Sequence, residues 1–324
     1  MSRGQVVGVD AGGTSTRALA VDSTGAVLGS AHAGGANPNS HPPEVAAGRI
    51  ADAIGSALSG LDPGRTLACV VGMAGVSKLT DPAIAAVFDR AWAGLRLGCA
   101  VRTATDAEVA FASATSAPDG TVLVAGTGSI AGRIRKRRLV STTGGYGWLL
   151  GDEGSAFWIG REAVRVTLTA LGDGSPLTGL FAAVLAEALD LSDLDGMSDD
   201  QRLLVSRRLI TTVNGEPPIR LARFAPLVST ADAAGEPVAL EITARAAELL
   251  VANAVAGREP GENTPVVLVG SVLGADSPVG AKVRARLPGL DVLESTDGVL
   301  GAAWLAAVDA WGEHAPRPQR SSAP

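Results

Sequence analysis

Two glycine-and-hydroxyl segments, Asp10-Ala11-Gly12-Gly13-Thr14-Ser15-Thr16-Arg17 and Gly126-Thr127-Gly128-Ser129, carry the most legible chemistry in this chain of 324 residues. Glycines let backbone amides approach an anion, the hydroxyls of Thr14 and Thr16 add donors, and Asp10 can hold a magnesium ion through water. A hairpin cradles phosphate in this way. The first segment is not a Walker loop, since no Gly-Lys-Ser/Thr follows, and not a dinucleotide fingerprint, since no helix opens there. Alone it reads equally well as an ordinary glycine hairpin. The second segment changes the balance, because two such turns on two similar half-chains suit a triphosphate gripped from both sides of a cleft. A third glycine-ended strand, Val266 to Val269 with Gly270-Ser271, suits a nucleoside lying against backbone.

Asp106 is the strongest candidate for general-base chemistry. It follows a predicted strand and opens a predicted helix, where a carboxylate is favoured in its charged form and held ready to accept a proton. The competing reading is a helix N-cap, a common task for Asp. Glu108 reads as a solvated first-turn acid complementing the helix dipole, and the basic run Arg133 to Arg138 as an exposed hairpin.

Elements that could position these groups follow from periodicity. Gln5 to Asp10 and Ser15 to Asp22 read as strands joined by a hairpin tip, and Val27 to Ala33 as a third strand. A helix is predicted over about 44–58, with Val45, Ile50, Ile54 and Leu58 on its apolar face. Leu67 to Met73 is an apolar strand, Pro82 to Ala91 a helix, and Ala100 to Thr105 the strand that delivers Asp106. After the break at 116–120 the strand-turn-strand pattern restarts, an internal repeat of architecture. A mostly helical stretch spans 156–257, and Val299 to Ala310 forms a final apolar-faced helix.

With 46% hydrophobic residues, 41 glycines and only 3% aromatics, the cores must be built from Ala, Val and Leu with closely packed backbone, an α/β signature. A net charge of −6 argues against nucleic acid as the principal partner. No apolar run approaches the roughly 18 residues of a spanning helix, and the N-terminus has no room for a signal peptide, so the expected location is cytoplasmic, without a membrane partner. Cys69 and Cys99 offer no disulfide framework or metal-ligand spacing, and Cys69 reads as a buried thiol.

The three nucleotide elements resemble, in this order, the phosphate-1, phosphate-2 and adenosine motifs of the sugar kinase, heat-shock ATPase and actin superfamily. The segment Gly144-Gly145-Tyr146-Gly147-Trp148-Leu149-Leu150-Gly151-Asp152-Glu153-Gly154 resembles the signature of the BadF/BadG/BcrA/BcrD ATPase family, which includes N-acetylglucosamine and bacterial glucosamine kinases. Asp297 to Trp304 resembles that family's closing helix.

The resemblance implies two ribonuclease H-like (actin-like ATPase) α/β domains with an interdomain cleft: 1–115, 116–296, and a closing helix 297–312 that packs on the first; the three prolines of the tail 313–324 predict disorder there. It implies ATP and Mg2+ as cofactors, with Asp10 on the metal and Gly12, Gly13, Thr14, Thr16, Thr127, Gly128, Gly270 and Ser271 on the nucleotide. Asn37, His41, Asp106, Ser129, Gly147, Trp148 and Asp152 would meet the sugar. The implied activity is phosphorylation of glucosamine to glucosamine 6-phosphate with Asp106 as base; N-acetylglucosamine is the alternative substrate, and a homodimer is left open. Two other classes compete: an ATPase activator of a dehydratase, which would need iron–sulfur ligands, and a non-catalytic nucleotide-binding regulator.

Overall fold

The computed structural model describes residues 4–295 and 297–319, and the chain divides into two compact units. Unit 1 comprises residues 1–120, 134–140 and 295–324; unit 2 comprises 121–133 and 141–294.

Unit 1 is built on strands β1 (Gln5–Ala11), β2 (Ser15–Val21), β3 (Val27–Gly34), β4 (Thr66–Met73) and β5 (Val101–Thr105), in the spatial order β3-β2-β1-β4-β5. The hairpin strands pair antiparallel, while β1, β4 and β5 run parallel. Helices α1 (Pro43–Ala57) and α2 (Pro82–Ala93) pack on the face that presents Val7, Val9, Cys69 and Met73. The opposite face presents Val6, Val70 and Ala104 to α3 (Asp106–Ala114) and to the C-terminal helix, α11 below. Burial on both faces explains why β1 and β4 read as continuous apolar runs.

The second sheet contains β6 (Gly120–Ala125), β7 (Ser129–Arg135), β8 (Arg138–Gly144), β9 (Val266–Val269) and β10 (Val292–Glu294). Its order, β8-β7-β6-β9-β10, repeats the first sheet strand for strand, so the predicted internal repeat is present as topology. Between β8 and β9 lie α4 (Gly147–Leu150), α5 (Ala156–Asp173), α6 (Leu180–Leu189), α7 (Asp199–Asn214), α8 (Ala225–Ala233) and α9 (Pro237–Val255). Helix α10 (Pro278–Ala285) joins β9 to β10, and α11 (Gly298–Trp311) follows. The helices α5, α6, α8 and α9 bury their apolar stripes in the core of unit 2. No helix among the described residues is long and apolar enough to cross a membrane.

Helix α11 lies directly on β1. At Gly8 a Cβ would collide with the Ala303 backbone, so only glycine permits this approach. Trp304, almost fully buried, anchors the helix, and its Nε1 donates to the Ala315 carbonyl at 3.3 Å.

Several expectations are corrected. The tail, expected to be disordered because of its prolines, is packed on unit 1 through residue 319: Arg317 lies over the Trp304 ring at 4.7 Å and donates to the Ser113 carbonyl at 2.8 Å. Residues 320–324 lie outside the described residues. Val45 is exposed rather than on the buried face of α1. The basic run is only partly a solvated hairpin, because Arg133 is buried against Glu262 and Arg137 sits over Trp304. Glu108 is buried as well, for a reason given next.

Candidate functional site

Unit 1 gathers carboxylates at the C-terminal ends of its parallel strands, where open α/β sheets present their ligand-facing loops. Asp10 ends β1 opposite Arg17 of β2, and the Arg17 Nη2 donates to the Asp10 Oδ2 at 2.9 Å. The same guanidinium reaches Oδ1 of Asp297 at 2.9 Å through Nη1. Asp297 caps α11, accepting the Val299 amide. A Cβ at Gly298 would lie 2.8 Å from Asp10 Oδ2, so glycine there makes room for the carboxylate. Burial pushes the Asp10 carboxyl above its ordinary range, Arg17 pulls it back, and the charge of Asp297 adds to the upward push.

Asp106 is the first residue of α3, and the N-cap is Thr105, not Asp106. Thr105 and Glu108 form a capping box, in which the Thr105 amide donates to Glu108 Oε2 at 2.7 Å and the Glu108 amide to Thr105 Oγ1 at 3.1 Å. The other Glu108 oxygen accepts the Leu139 amide at 2.9 Å. These bonds explain why Glu108 is buried where a solvated acid was expected. They also leave the N-cap task to Thr105, while the Asp106 Oδ1 accepts the neighbouring Ala107 amide at 2.9 Å.

Asp106 keeps solvent access although protein atoms crowd its carboxyl. That crowding raises its proton affinity above the ordinary aspartate range; the Ala107 amide opposes the effect, and the charges of Asp10 and Glu108 reinforce it. The shift therefore runs opposite to the one expected from the helix N-terminus, because desolvation, reinforced by the charges of Asp10 and Glu108, raises the proton affinity.

The phosphate-1 turn is exposed at Gly13 and Thr14. The Gly12 amide is used within the turn, donating to the Ser15 carbonyl at 2.9 Å, and the Gly12 carbonyl accepts the amides of Ala36 and Asn37. This second pair of bonds ties Asn37 to the phosphate turn. Its Oδ1 accepts the Asn39 amide at 2.7 Å, and His41 lies in the same loop with Nδ1 3.1 Å from Ser40 Oγ. Thr16 is corrected: it is fully buried, and its hydroxyl donates to the Gly34 carbonyl at 2.8 Å, so it braces β2 against β3 instead of facing a phosphate.

Unit 2 carries the second set. Thr127 and Ser271, both expected on the nucleotide, line one cavity of about 720 Å³. Gly270, at φ +100° and with a Cβ position colliding with the Ala125 carbonyl, brings the end of β9 against the end of β6. Ala222, Pro226, Ser229 and Asp276 also line this cavity. The sequence reading missed all four: Ala222, Pro226 and Ser229 sit on helical segments whose periodicity signals only core packing, and Asp276 in the turn before α10.

A Cβ at Gly128 would lie 2.8 Å from Asp152 Oδ1, which accepts the Ser129 amide at 3.1 Å. Asp152 is 9% exposed and held at φ +54°, a left-handed conformation that Asp tolerates better than most residues. Ser129 is corrected too: it is buried, and its hydroxyl donates to the Glu153 carbonyl at 2.8 Å, closing the loop rather than pointing to a ligand. Gly147 opens α4 at φ +77°. Trp148 is 43% exposed, with its ring edge-on to Phe157 at 6.2 Å. It is thus available as a wall for an apolar sugar face and is not a core residue.

Magnesium takes one or two carboxylates plus phosphate oxygens. Asp10, with one oxygen committed to Arg17, fits that demand, and Arg17 and Asp297 are members of the site that sequence reasoning missed. The hairpin pairing of Asp10 with Arg17 was the available signal, because opposed residues of a tight hairpin share a face.

Comparison with known proteins agrees with this architecture. The model of the BadF/BadG/BcrA/BcrD ATPase family matches residues 7–306, and the chain belongs to that family. An N-acetyl-D-glucosamine kinase of Dictyostelium discoideum is 27% identical, spanning 94% of this chain and 98% of that protein. An N-acetylmuramic acid/N-acetylglucosamine kinase of Clostridium acetobutylicum is 29% identical over 56% of this chain and 58% of its own length. Among solved structures, a Chromobacterium violaceum protein provisionally described as an N-acetylglucosamine kinase superposes with a TM-score of 0.67 at 27% identity, covering 94% of this chain and all of the other. A ROK family glucokinase from Streptomyces griseus shares the fold, with a TM-score of 0.54 at 20% identity and 94% and 99% coverage.

Proposed function

We propose that the protein is an ATP-dependent kinase of a 2-amino sugar, with N-acetylglucosamine as the preferred acceptor. The observation that carries the reading is the pairing of functions within the units. Unit 2 has a cavity of about 720 Å³ bounded by the phosphate-2 threonine and the adenosine-motif serine. In unit 1, the exposed Asp106 opens α3 close enough to Asp10 to feel its charge.

Unit 2 offers its cavity to the nucleoside and the exposed Thr127 with the half-buried Gly128 to phosphate oxygens, and unit 1 offers phosphate the exposed Gly13 and Thr14 of its own turn. Asp10 would hold Mg2+, which would supply charge neutralisation of the phosphates. Asp106 accepts the proton of the sugar C6 hydroxyl as the new O–P bond forms to the γ-phosphorus and the bond to the β,γ-bridging oxygen breaks, releasing ADP. In unit 1 the Asn37 amide is suited to acceptor hydroxyls; in unit 2 the Asp152 carboxylate is suited to the same task and the half-exposed Trp148 to an apolar sugar face. Exclusion of water keeps the sugar as the acceptor.

The sequence alone favoured glucosamine. The full-length relative named for N-acetyl-D-glucosamine moves the preference to the acetylated sugar. An iron–sulfur role is disfavoured by Cys69, which is buried inside β4 where burial raises its thiol pKa. A panel of glucosamine, N-acetylglucosamine, N-acetylmuramic acid, glucose and mannosamine with ATP tests the proposal by kcat/KM. N-acetylglucosamine is expected to lead, glucosamine leading would restore the first preference, and no phosphorylation of any sugar would overturn the kinase reading.

A further inference from the structure

The loop that carries Asn37 is held by the phosphate-1 turn on one side and by two cationic side chains on the other, all within unit 1. The Gly12 carbonyl accepts the Ala36 amide at 2.9 Å and the Asn37 amide at 3.1 Å. Gly35 is buried directly against the turn: a Cβ there would lie 2.0 Å from the Gly13 carbonyl oxygen and 2.9 Å from the Thr14 amide nitrogen. Only glycine permits that approach. Asn37 Oδ1 is occupied by the Asn39 amide, which leaves the Asn37 Nδ2 as the donor for an acceptor hydroxyl.

Arg49 of α1 closes the back of this contact. Its Nη1 donates to the Gly35 carbonyl at 2.5 Å, and its guanidinium packs so closely on the loop that a Cβ at Gly34 would lie 3.1 Å from Cζ. Arg49 is half-buried and makes no ion pair among the described residues. Holding a long cationic side chain in one geometry costs rotamer freedom, so a single backbone acceptor at this place identifies the loop as its task. Lys78 braces the same loop further along, where its Nζ donates to the Pro38 carbonyl at 2.9 Å, and it makes no hydrogen bond to the turn.

We propose that Arg49 is a positioning residue for two ligands at once: by holding Gly35 against Gly13 and Thr14, it makes the acceptor loop and the phosphate-1 turn one ordered unit. The inference deepens the kinase reading and rests on it. A phosphate on the turn fixes, through the shared Gly12 carbonyl and the Gly35 contact, the loop that presents Asn37; an acceptor on the loop does the reverse. The entropy of ordering the shared backbone is then lost once rather than twice, so each ligand tightens the other by the same factor. Lys78, which holds the loop alone, serves the acceptor only.

Calorimetric titration of the full chain with the non-hydrolysable ATP analogue AMPPNP and Mg2+, with and without saturating N-acetylglucosamine, tests it. In the wild type the sugar is expected to tighten AMPPNP about fivefold. Arg49→Met is expected to weaken AMPPNP alone about fivefold, to raise KM for the sugar by a similar factor and to abolish the mutual tightening, with kcat changed about twofold at most. Arg49→Lys should recover part of each effect, and Gly35→Ala should reproduce the pattern of Arg49→Met. Lys78→Met should raise KM for the sugar and leave AMPPNP affinity unchanged. Circular dichroism and thermal melting verify that each variant is folded. A folded Arg49→Met protein that binds AMPPNP as the wild type does overturns the inference, whether or not any sugar is phosphorylated. Absence of mutual tightening in the wild type, or its survival in Arg49→Met, overturns it as well. A wild-type chain that binds AMPPNP but phosphorylates no sugar overturns the kinase reading instead, and the AMPPNP affinity of Arg49→Met then decides the role of Arg49.

Discussion

Arg17 and Asp10 stand opposite each other across the β1–β2 hairpin, and Arg17 bridges Asp10 to Asp297 at the start of α11 with two contacts of 2.9 Å. One cation thus fixes two carboxylates from opposite ends of the chain. Removing it frees Asp10 to rotate and raises its proton affinity further. Arg17→Ala is expected to raise KM for MgATP about tenfold, equivalent to roughly 1.4 kcal/mol, while Arg17→Lys recovers part of the loss. Steady-state kinetics with a thermal melt separate this effect from unfolding; unchanged KM in a folded Arg17→Ala variant would show that the clamp does not matter for nucleotide.

Asp106→Asn is expected to keep nucleotide affinity and lose about 10² to 10⁴ in kcat, the usual contribution of a positioned general base. Calorimetric titration with ADP and single-turnover transfer are the paired measurements. Transfer at the wild-type rate would remove Asp106 from the mechanism.

The raised proton affinity of Asp106 gives a second, stability-based expectation. Because the folded pKa lies above the unfolded value, the native state is relatively favoured when the group is protonated. That advantage is lost as pH rises through the folded pKa. At neutral pH the ionised carboxylate is a burden, so Asp106→Asn should melt at a higher temperature than wild type at pH 7. The difference should shrink as pH falls toward 4. For the same reason the acid limb of kcat/KM should fall at a pH above that of an ordinary aspartate. A variant less stable than wild type at pH 7 would contradict both.

Glu108 accepts two backbone amides, from Thr105 and Leu139, while almost fully buried. Glu108→Ala is expected to destabilise by about 1 to 3 kcal/mol, since two part-buried donors lose their acceptor. Glu108→Gln, which keeps an acceptor oxygen, should cost less. Urea titration provides the comparison, and equal losses in the two variants would mean that these hydrogen bonds are not what Glu108 contributes.

Asp152 is predicted to govern sugar affinity while its Ser129 contact holds the loop. Asp152→Asn should raise KM for the sugar at least tenfold with KM for ATP unchanged, because Asn tolerates the same left-handed backbone but lacks the charged acceptor. Equal changes in both constants would indicate a general loop defect.

The sequence by itself determined the elements and singled out candidate reacting groups. Hairpin glycines, continuous apolar strands and the order of the three nucleotide motifs are local signals, readable because backbone conformation and strand periodicity depend on neighbours a few residues apart. The repeated sheet order followed from the same signals. Tertiary structure decided which side chains are free. Thr16, Ser129 and Glu108 looked available in sequence but are consumed by the carbonyl of Gly34, the carbonyl of Glu153 and the amides of Thr105 and Leu139. Each partner lies on another turn or strand, where local pattern carries no information. The rise in Asp106 proton affinity has the same origin: the helix terminus that favours charge is visible locally, whereas the crowding and neighbouring carboxylates that overcome it are assembled only by the fold.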